Sequence, residues 1–221
     1  MRLAPGGRRY ALAALVAAAP ALVVFPPAAA ALVAAAAFVV WFFRDPPRSP
    51  AGDGVLSPAD GHVSVLREDG DRVRVGVFMS PLDVHVTRAP VGGDVTRVDH
   101  RGAAHRPAFT KDSSRNERVE YRVGAADGAL IAGWFARRIT PYVSPGESVT
   151  RGDRIGHIAF GSRADVVLPP EYDVADVRVS RGDAVRAGES VVARRDDEDT
   201  DGGNGDSGND DSGNDDSGND D

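Results

Sequence analysis

Hydrophobic and polar positions divide this chain into an apolar N-terminal segment, an alternating middle and a polar tail. From Tyr10 to Phe43 no charged residue interrupts a run of mostly Ala, Val, Leu and Phe, which is typical of a membrane-embedded segment. Pro20 and Pro26-Pro27 split it into pieces of about 15 residues, shorter than the ~20 that cross a bilayer. The pattern predicts a membrane anchor over residues 1–43, either a helical hairpin dipping into the bilayer or a single kinked span.

A cleaved signal peptide is the alternative for this segment. Arg2, Arg8 and Arg9 precede the apolar run, and its many alanines could serve a cleavage site. The run is longer than a usual signal core, however, and Trp41-Phe42-Phe43-Arg44 is typical of an aromatic and basic anchor at a membrane interface. We therefore expect a protein of the cell membrane, N-terminally anchored or peripheral.

Residues 44–195 show the alternation of β-strands. Short Val-rich and Ile-rich runs, such as 72–78 and 174–179, are bounded by Gly, Pro and Asp. Two segments, 146–153 and 182–189, share the form Gly-acid-x-Val-x-x-Gly-acid, in which the glycines suit tight turns and the Val an inward position. Such hairpins occur in barrel-sandwich folds of lipoyl and biotinyl carriers. The prediction is a mainly β, barrel-sandwich-like domain; a carrier arm is disfavoured because the one lysine, Lys111, lies elsewhere.

The tail, residues 196–221, accounts for the negative sign of the net charge of −7. It holds 12 of the 33 acidic residues and no base, so residues 1–195 have 26 basic and 21 acidic residues, a net charge of +5. A positive body suits an anionic membrane surface. The tail ends in three copies of Ser-Gly-Asn-Asp-Asp and has no apolar residue to bury, which predicts disorder.

Four segments offer candidate chemistry. Because the chain has no cysteine, covalent catalysis must use a hydroxyl or an amine. Gly161-Ser162 follows an apolar run and places a hydroxyl on a turn. His85, between Ser80-Pro81 and Pro90, could act as a base. Asp60 could orient a histidine. The polar and basic stretch 111–118 could hold a phosphate.

Taken together, these segments resemble the phosphatidylserine decarboxylases, in particular the short form of bacteria and archaea. The resemblance covers residues 42 to 165 through six blocks in matching order: Phe42–Pro46, Ser57–Gly61, Phe78–Pro90, Lys111–Arg118, Ala136–Ile139 and Phe160–Arg163.

The resemblance implies a proenzyme, with a decarboxylase domain over residues 44–195, that cuts itself between Gly161 and Ser162. The products would be a β chain, 1–161, and an α chain, 162–221, held together as a heterodimer. Attack of the Ser162 hydroxyl on the Gly161 carbonyl gives an ester, whose β-elimination and hydrolysis leave a pyruvoyl group and release ammonia. His85 is then expected to take the Ser162 proton and Asp60 to orient His85. Longer relatives have a second histidine where this chain has Arg88.

The implied reaction is decarboxylation of a serine phospholipid, phosphatidylserine or archaetidylserine, through a Schiff base between the pyruvoyl group and the substrate amine. Substrate-binding roles fall on Lys111, Asn116, Arg118 and Arg138, and neither a metal nor a nucleic acid is expected. Two alternatives stay open. One is a membrane-anchored, non-enzymatic barrel-sandwich binding module; the other is a serine hydrolase, although no Gly-x-Ser-x-Gly motif surrounds Ser162.

Overall fold

The uncharged N-terminal run folds into two helices. The computed structural model, which describes residues 2–101, 117–133, 139–158 and 162–196, has α1 over Gly7–Val24 and α2 over Pro26–Phe42. Pro20 lies inside α1, so the break falls at Phe25, after which Pro26 begins α2, a position where its missing N–H costs nothing. Among the described helices, α1 is long and apolar enough to cross a membrane, and α2 is slightly shorter.

The two helices form the hairpin and not the single kinked span. Strand β1 (Arg2–Leu3), before α1, pairs antiparallel with β2 (Arg44–Asp45), after α2, and so closes the hairpin at its base. The buried positions of the helices are mostly small, which lets apolar helices approach closely: Gly7, Ala11, Ala18, Ala29 and Ala36. Large apolar side chains such as Leu22 and Val23 point outward.

An antiparallel sheet of eight strands curls into half a barrel around the core. Its alternating sequences give each strand one apolar face, which packs inward. In spatial order the strands are β11 (Ser148–Val149), β7 (Gly93–Arg101), β8 (Arg118–Val123), β9 (Ala126–Ile131), β13 (Ser162–Val167), β5 (Arg72–Met79), β4 (Gly61–Asp69) and β14 (Ala184–Val185).

The two repeated Gly-acid-x-Val segments form the two edges of this sheet, β11 and β14. Gly146 and Gly182, which open the repeats, both have a φ of +94°, a conformation that favours glycine. Val185 is buried, and Val149 packs against the core. The predicted turns and inward valines are therefore confirmed.

Smaller sheets complete the domain. One has the order β10 (Ile139–Pro141), β12 (Arg154–Ile158), β6 (Val86–Arg88), and another pairs β15 (Val191–Ala193) with β3 (Val55–Leu56). The predicted mainly β fold with an N-terminal helical segment is confirmed. Beyond Asp196, the predicted disordered tail lies outside the described residues.

Candidate active site

Ser162 is the first residue of β13, a central strand between β9 and β5. It lies opposite Met79 and is fully buried. Its Oγ donates a long hydrogen bond to the Met79 Sδ, 3.8 Å away, and a thioether is a weak acceptor. The hydroxyl is thus held in the interior without a strong partner, and the other half of the predicted cleavage site, Gly161, lies outside the described residues.

The backbone around His85 fixes which ring nitrogen can act as a base. His85 Nδ1 lies 2.9 Å from the Asp83 carbonyl oxygen. Because a carbonyl only accepts, this contact places the proton on Nδ1 and leaves Nε2 with a free lone pair. Nε2 is buried and has no hydrogen-bond partner among the described residues. Burial, the largest cause, lowers the pKa of His85 to about 4, so the ring is neutral near pH 7.

Two contacts bring the segments of His85 and Ser162 together. Met79, six residues before His85, lies opposite Ser162 in the sheet. The His85 carbonyl accepts a hydrogen bond of 3.1 Å from the N–H of Ile158, the last residue of β12 and four residues before Ser162. The fold therefore places a neutral histidine beside the chain that leads into the predicted cleavage site.

Asp60 makes its hydrogen bonds elsewhere. Its Oδ2 accepts from Arg48 at 2.7 Å, and its Oδ1 accepts from the N–H of Ala187 at 2.8 Å. Burial raises the pKa of Asp60 more than these bonds lower it. In the described residues Asp60 and His85 share no hydrogen bond, and the group that orients the His85 ring is the Asp83 carbonyl. The orienting role of Asp60 stays a prediction.

Sequence reasoning missed His157, which the structure places near His85. His157 lies in β12, and its Nδ1 is 2.9 Å from the Tyr142 hydroxyl. Burial lowers its pKa, and a small cavity is lined by both histidines together with Phe42 and Phe43. Only its position five residues before Ser162 could have signalled this place.

The base of the helical hairpin packs directly on the histidine site. The rings of Phe42 and His85 are 4.6 Å apart between centroids. Arg44 lies over the Trp41 ring at 4.2 Å and donates to the Leu82 carbonyl at 2.7 Å, so it ties the end of α2 to the loop that carries His85. The exposed side chain of Leu82 extends this apolar region. His85 thus lies where the helical hairpin meets the β domain.

Arg118 lies on the other face of the sheet. Residues directly opposite one another in antiparallel strands share a face; Arg118 pairs with Ile131, and Ile131 with Arg163, so Ser162 faces the opposite way. Arg118 Nε lies 3.3 Å from the Glu120 carboxylate in a groove of about 660 Å³ rich in arginine. Its substrate-binding role stays a prediction, and Lys111, Asn116 and Arg138 lie outside the described residues.

Ser162 and His85 share no hydrogen bond among the described residues, although the fold brings their segments together. A buried serine with a weak partner and a neutral histidine with a free, desolvated nitrogen are the groups that activation of a hydroxyl by a histidine needs. Among the described residues, no group of three or more His, Asp or Glu side chains is placed to hold a metal ion.

Comparisons with known proteins agree with this chemistry. The sequence profile of the phosphatidylserine decarboxylase family matches residues 35–193, which include every described residue of the site. A protein of Halobacterium salinarum, provisionally named an archaetidylserine decarboxylase proenzyme, is 62% identical over 156 residues, which cover 70% of this chain and 80% of that protein.

Two further relatives match this chain at lower sequence identity. The phosphatidylserine decarboxylase proenzyme of Thermobifida fusca is 51% identical over 160 residues, 70% of this chain and 72% of its own. A protein of Methanococcoides burtonii with a provisional archaetidylserine decarboxylase name is 42% identical over 162 residues, 71% of this chain and 74% of its own. The chain thus matches relatives named for phosphatidylserine and relatives named for archaetidylserine.

Proposed function

Because this chain belongs to the phosphatidylserine decarboxylase family, we propose that it cuts its backbone between Gly161 and Ser162 and keeps the resulting pyruvoyl group at the start of β13. The chain is a decarboxylase proenzyme, a carboxy-lyase of phospholipid biosynthesis, and proenzymes of this family use a pyruvoyl group formed from a serine. Membership of the family favours this enzyme over a non-enzymatic binding module or a serine hydrolase.

The surroundings of Ser162 support it as the serine that is converted. Two serines are buried among the described residues, Ser57 and Ser162. Ser57 Oγ donates a strong bond of 2.7 Å to the Ala59 carbonyl, whereas Ser162 Oγ has only the thioether of Met79. The Ser162 hydroxyl is therefore the freer nucleophile, and a ketone at its position would lie in a dry interior, protected from side reactions with water.

His85 is proposed to accept the proton of the Ser162 hydroxyl at Nε2. Its Nδ1–H stays bonded to the Asp83 carbonyl, which fixes the tautomer in which Nε2 is basic. Burial keeps the ring neutral, with a pKa of about 4. Once formed, the pyruvoyl ketone supplies the electrophile and electron sink that decarboxylation of an amino acid needs.

Asp60 is proposed to assist His85 through the charge of its carboxylate. Asp83, two residues before His85, makes the smallest contribution to the raised pKa of Asp60, after burial and the contacts with Ala187 and Arg48. We expect Asp60→Asn to slow cleavage more than Arg48→Gln, which breaks the Arg48–Asp60 pair but keeps the carboxylate. Equal slowing in both variants, measured by gel analysis of newly made chains, would assign Asp60 to structure alone.

The two predicted product chains interleave, which supports a stable heterodimer. Strand β13, from the α chain, lies between β9 and β5 of the β chain. Strands β14 and β15, also from the α chain, pair with β4 and β3. Separation of the chains would break the sheet at its centre, so cleavage leaves the fold connected.

The hairpin is proposed to insert into the membrane and to hold the site at headgroup height. The outward apolar side chains of α1 and α2 suit lipid, and Trp41 with Arg44 suits the interface. A lipid substrate then reaches His85 along the hairpin base without leaving the bilayer. Recognition of the serine headgroup alone would accept both phosphatidylserine and archaetidylserine.

The test is decarboxylation of serine lipids labelled in the carboxyl group. Purified full-length protein in mixed micelles should release labelled CO2 from diacyl and ether lipids at similar rates, and Ser162→Ala should release none. No release by wild-type protein would contradict the proposed function. Release from one lipid core alone would contradict recognition by the headgroup.

A further inference from the structure

A positively charged cavity of about 490 Å³ lies beside the base of the helical hairpin. Its lining includes five arginines and two aspartates. Four of its charged residues lie in β1, β2, β6 and at the start of β12, and the other three lie in the loops after β2 and before β12. It shares no lining residue with the cavity of His85 and His157. It is therefore a separate feature of the surface next to the anchor.

The positive charges in this cavity exceed their partners. Asp45 accepts from Arg88 Nη2 at 3.0 Å and also from Arg154 Nε, so one carboxylate serves two guanidinium groups. In the part of the chain that the structure describes, Arg154 donates through Nε alone, and the Arg2 guanidinium has no hydrogen-bond partner. Arg151 is less available, because its Nε is buried and its Nη2 donates to the Ala51 and Gly52 carbonyls. Several N–H donors are thus available to an acceptor from outside.

The pKa of Arg88 also indicates an excess of positive charge inside the cavity. Burial, followed by the charge of Arg154, lowers the pKa of Arg88, and the charge of Asp45 opposes this. Arg88 is only 5% exposed, so water screens the repulsion weakly. An anion between Arg2 and Arg154 would offset this repulsion and satisfy the free donors.

The position of the cavity indicates the kind of anion. Strands β1 and β2 close the hairpin, and Trp41 and Arg44 at the end of α2 suit the membrane interface. Arg2 and Asp45 therefore lie at the height of lipid phosphates if the hairpin is inserted. Guanidinium groups match phosphate oxygens in geometry as well as in charge.

We propose that this cavity binds the phosphate of an acidic phospholipid beside the anchor, with Arg2 and Arg154 as its donors. The proposal rests on the proposed insertion of the hairpin and is independent of the cleavage site. Bound lipid would fix the hairpin base, on which Phe42 and His85 pack, relative to the membrane surface.

The test is calorimetric titration of the full-length protein in uncharged detergent. Dihexanoyl phosphatidylglycerol, dihexanoyl phosphatidylcholine and inorganic phosphate are the three probes. We expect phosphatidylglycerol to bind, phosphatidylcholine to bind more weakly, and Arg2→Gln and Arg154→Gln each to weaken phosphatidylglycerol about fivefold, as for one cation at a membrane surface. Arg101→Gln is the matched control and should bind as wild type does, because Arg101 is exposed in β7 and lines neither this cavity nor the groove of Arg118.

The outcomes separate the possible sources of the anion. Weaker phosphatidylglycerol binding in both cavity variants, with the control intact, supports the proposal. Binding of inorganic phosphate without phosphatidylglycerol would assign the site to a free anion and overturn the lipid. Equal affinity for phosphatidylcholine, or no effect of Arg2→Gln, would also overturn it. Intact mass of each variant reports chain cleavage separately, so failure of the proposed function would be seen as uncut wild-type protein whatever the titration shows.

Discussion

At the scale of single residues, the proposed chemistry depends on how burial sets the protonation state of His85. A histidine with a normal pKa would be partly charged near pH 6.5 and would then lack its free lone pair. His85 is buried and bonded through Nδ1 to the Asp83 carbonyl. Because burial lowers its pKa to about 4, Nε2 stays unprotonated at any pH well above that value. It can act as a base across the whole neutral range.

The pH dependence of chain cleavage follows from this state. We expect the rate to be constant above about pH 5 and to fall as the pH drops through the pKa of His85, about 4, because protonation removes the base. The measurement is gel analysis of chains made by cell-free synthesis and then shifted in pH. A fall centred near pH 6.5 would contradict the buried, neutral base.

A variant of His85 tests the same role directly. His85→Ala should slow cleavage by about 10²- to 10⁴-fold, the usual contribution of a general base. His62→Ala is the matched control, because His62 is exposed in β4. Cleavage at the wild-type rate in His85→Ala would show that another group takes the proton.

At the residue level, the sequence offered candidates for the site but not their surroundings. Family motifs indicated Ser162, His85 and Asp60. The acceptor that orients His85 is a backbone carbonyl, which any residue could provide, so no side-chain pattern reveals it. His157 joins the site through the packing of β12 against β6, a tertiary contact that the sequence does not show.

At the scale of elements, a cross-strand pair next to the site tests the packing of the sheet. Gly128 in β9 lies opposite Tyr121 in β8, and a Cβ at Gly128 would overlap the Tyr121 ring. Tyr121 is buried, with a hydroxyl that has no hydrogen-bond partner among the described residues. The Tyr121 ring therefore occupies the space in which a side chain at residue 128 would lie.

Filling this space should destabilise the domain. Gly128→Ala is expected to lower the free energy of unfolding by about 1–3 kcal/mol, as overpacking commonly does. In a Tyr121→Val background the same substitution should cost less, because the ring is gone. Urea unfolding in detergent measures both. Equal costs in the two backgrounds would show that Gly128 is not constrained by the ring.

The sequence predicted most of the elements, but not the face of the sheet on which each side chain lies. The alternation at 72–78 lies in β5, and the glycine repeats form both edges of the sheet. The strand predicted at 174–179 is wrong, because Val177 makes only an isolated bridge to Ala193 there. Pro20 did not break α1, since neighbouring turns of an apolar helix accommodate one proline. Arg118 belongs to a polar face by alternation, but the sequence does not show that Ser162 turns to the opposite face, because that depends on register.

At the scale of the whole molecule, the chain combines a helical hairpin, a β domain and an acidic C-terminal sequence. The tail is expected to be dispensable. Its first residue, Asp196, pairs with Arg178 at 2.7 Å but is 77% exposed, and such surface pairs contribute little.

Deletion of residues 196–221 should therefore leave chain cleavage and CO2 release unchanged. Intact mass and the labelled-lipid assay on the truncated protein check this. Loss of cleavage in the truncated protein would show that the tail acts in maturation.

The most direct test of the central claim is intact mass spectrometry of the purified wild-type protein beside Ser162→Ala and Ser57→Ala. Ser57 is the other buried serine of the described residues, so it controls for removal of a buried hydroxyl. We predict two chains in wild type and in Ser57→Ala, split after Gly161, with a pyruvoyl group at the start of the smaller chain, and one uncut chain in Ser162→Ala. A single full-length chain from folded wild-type protein, or cleavage that persists in Ser162→Ala, would contradict the account.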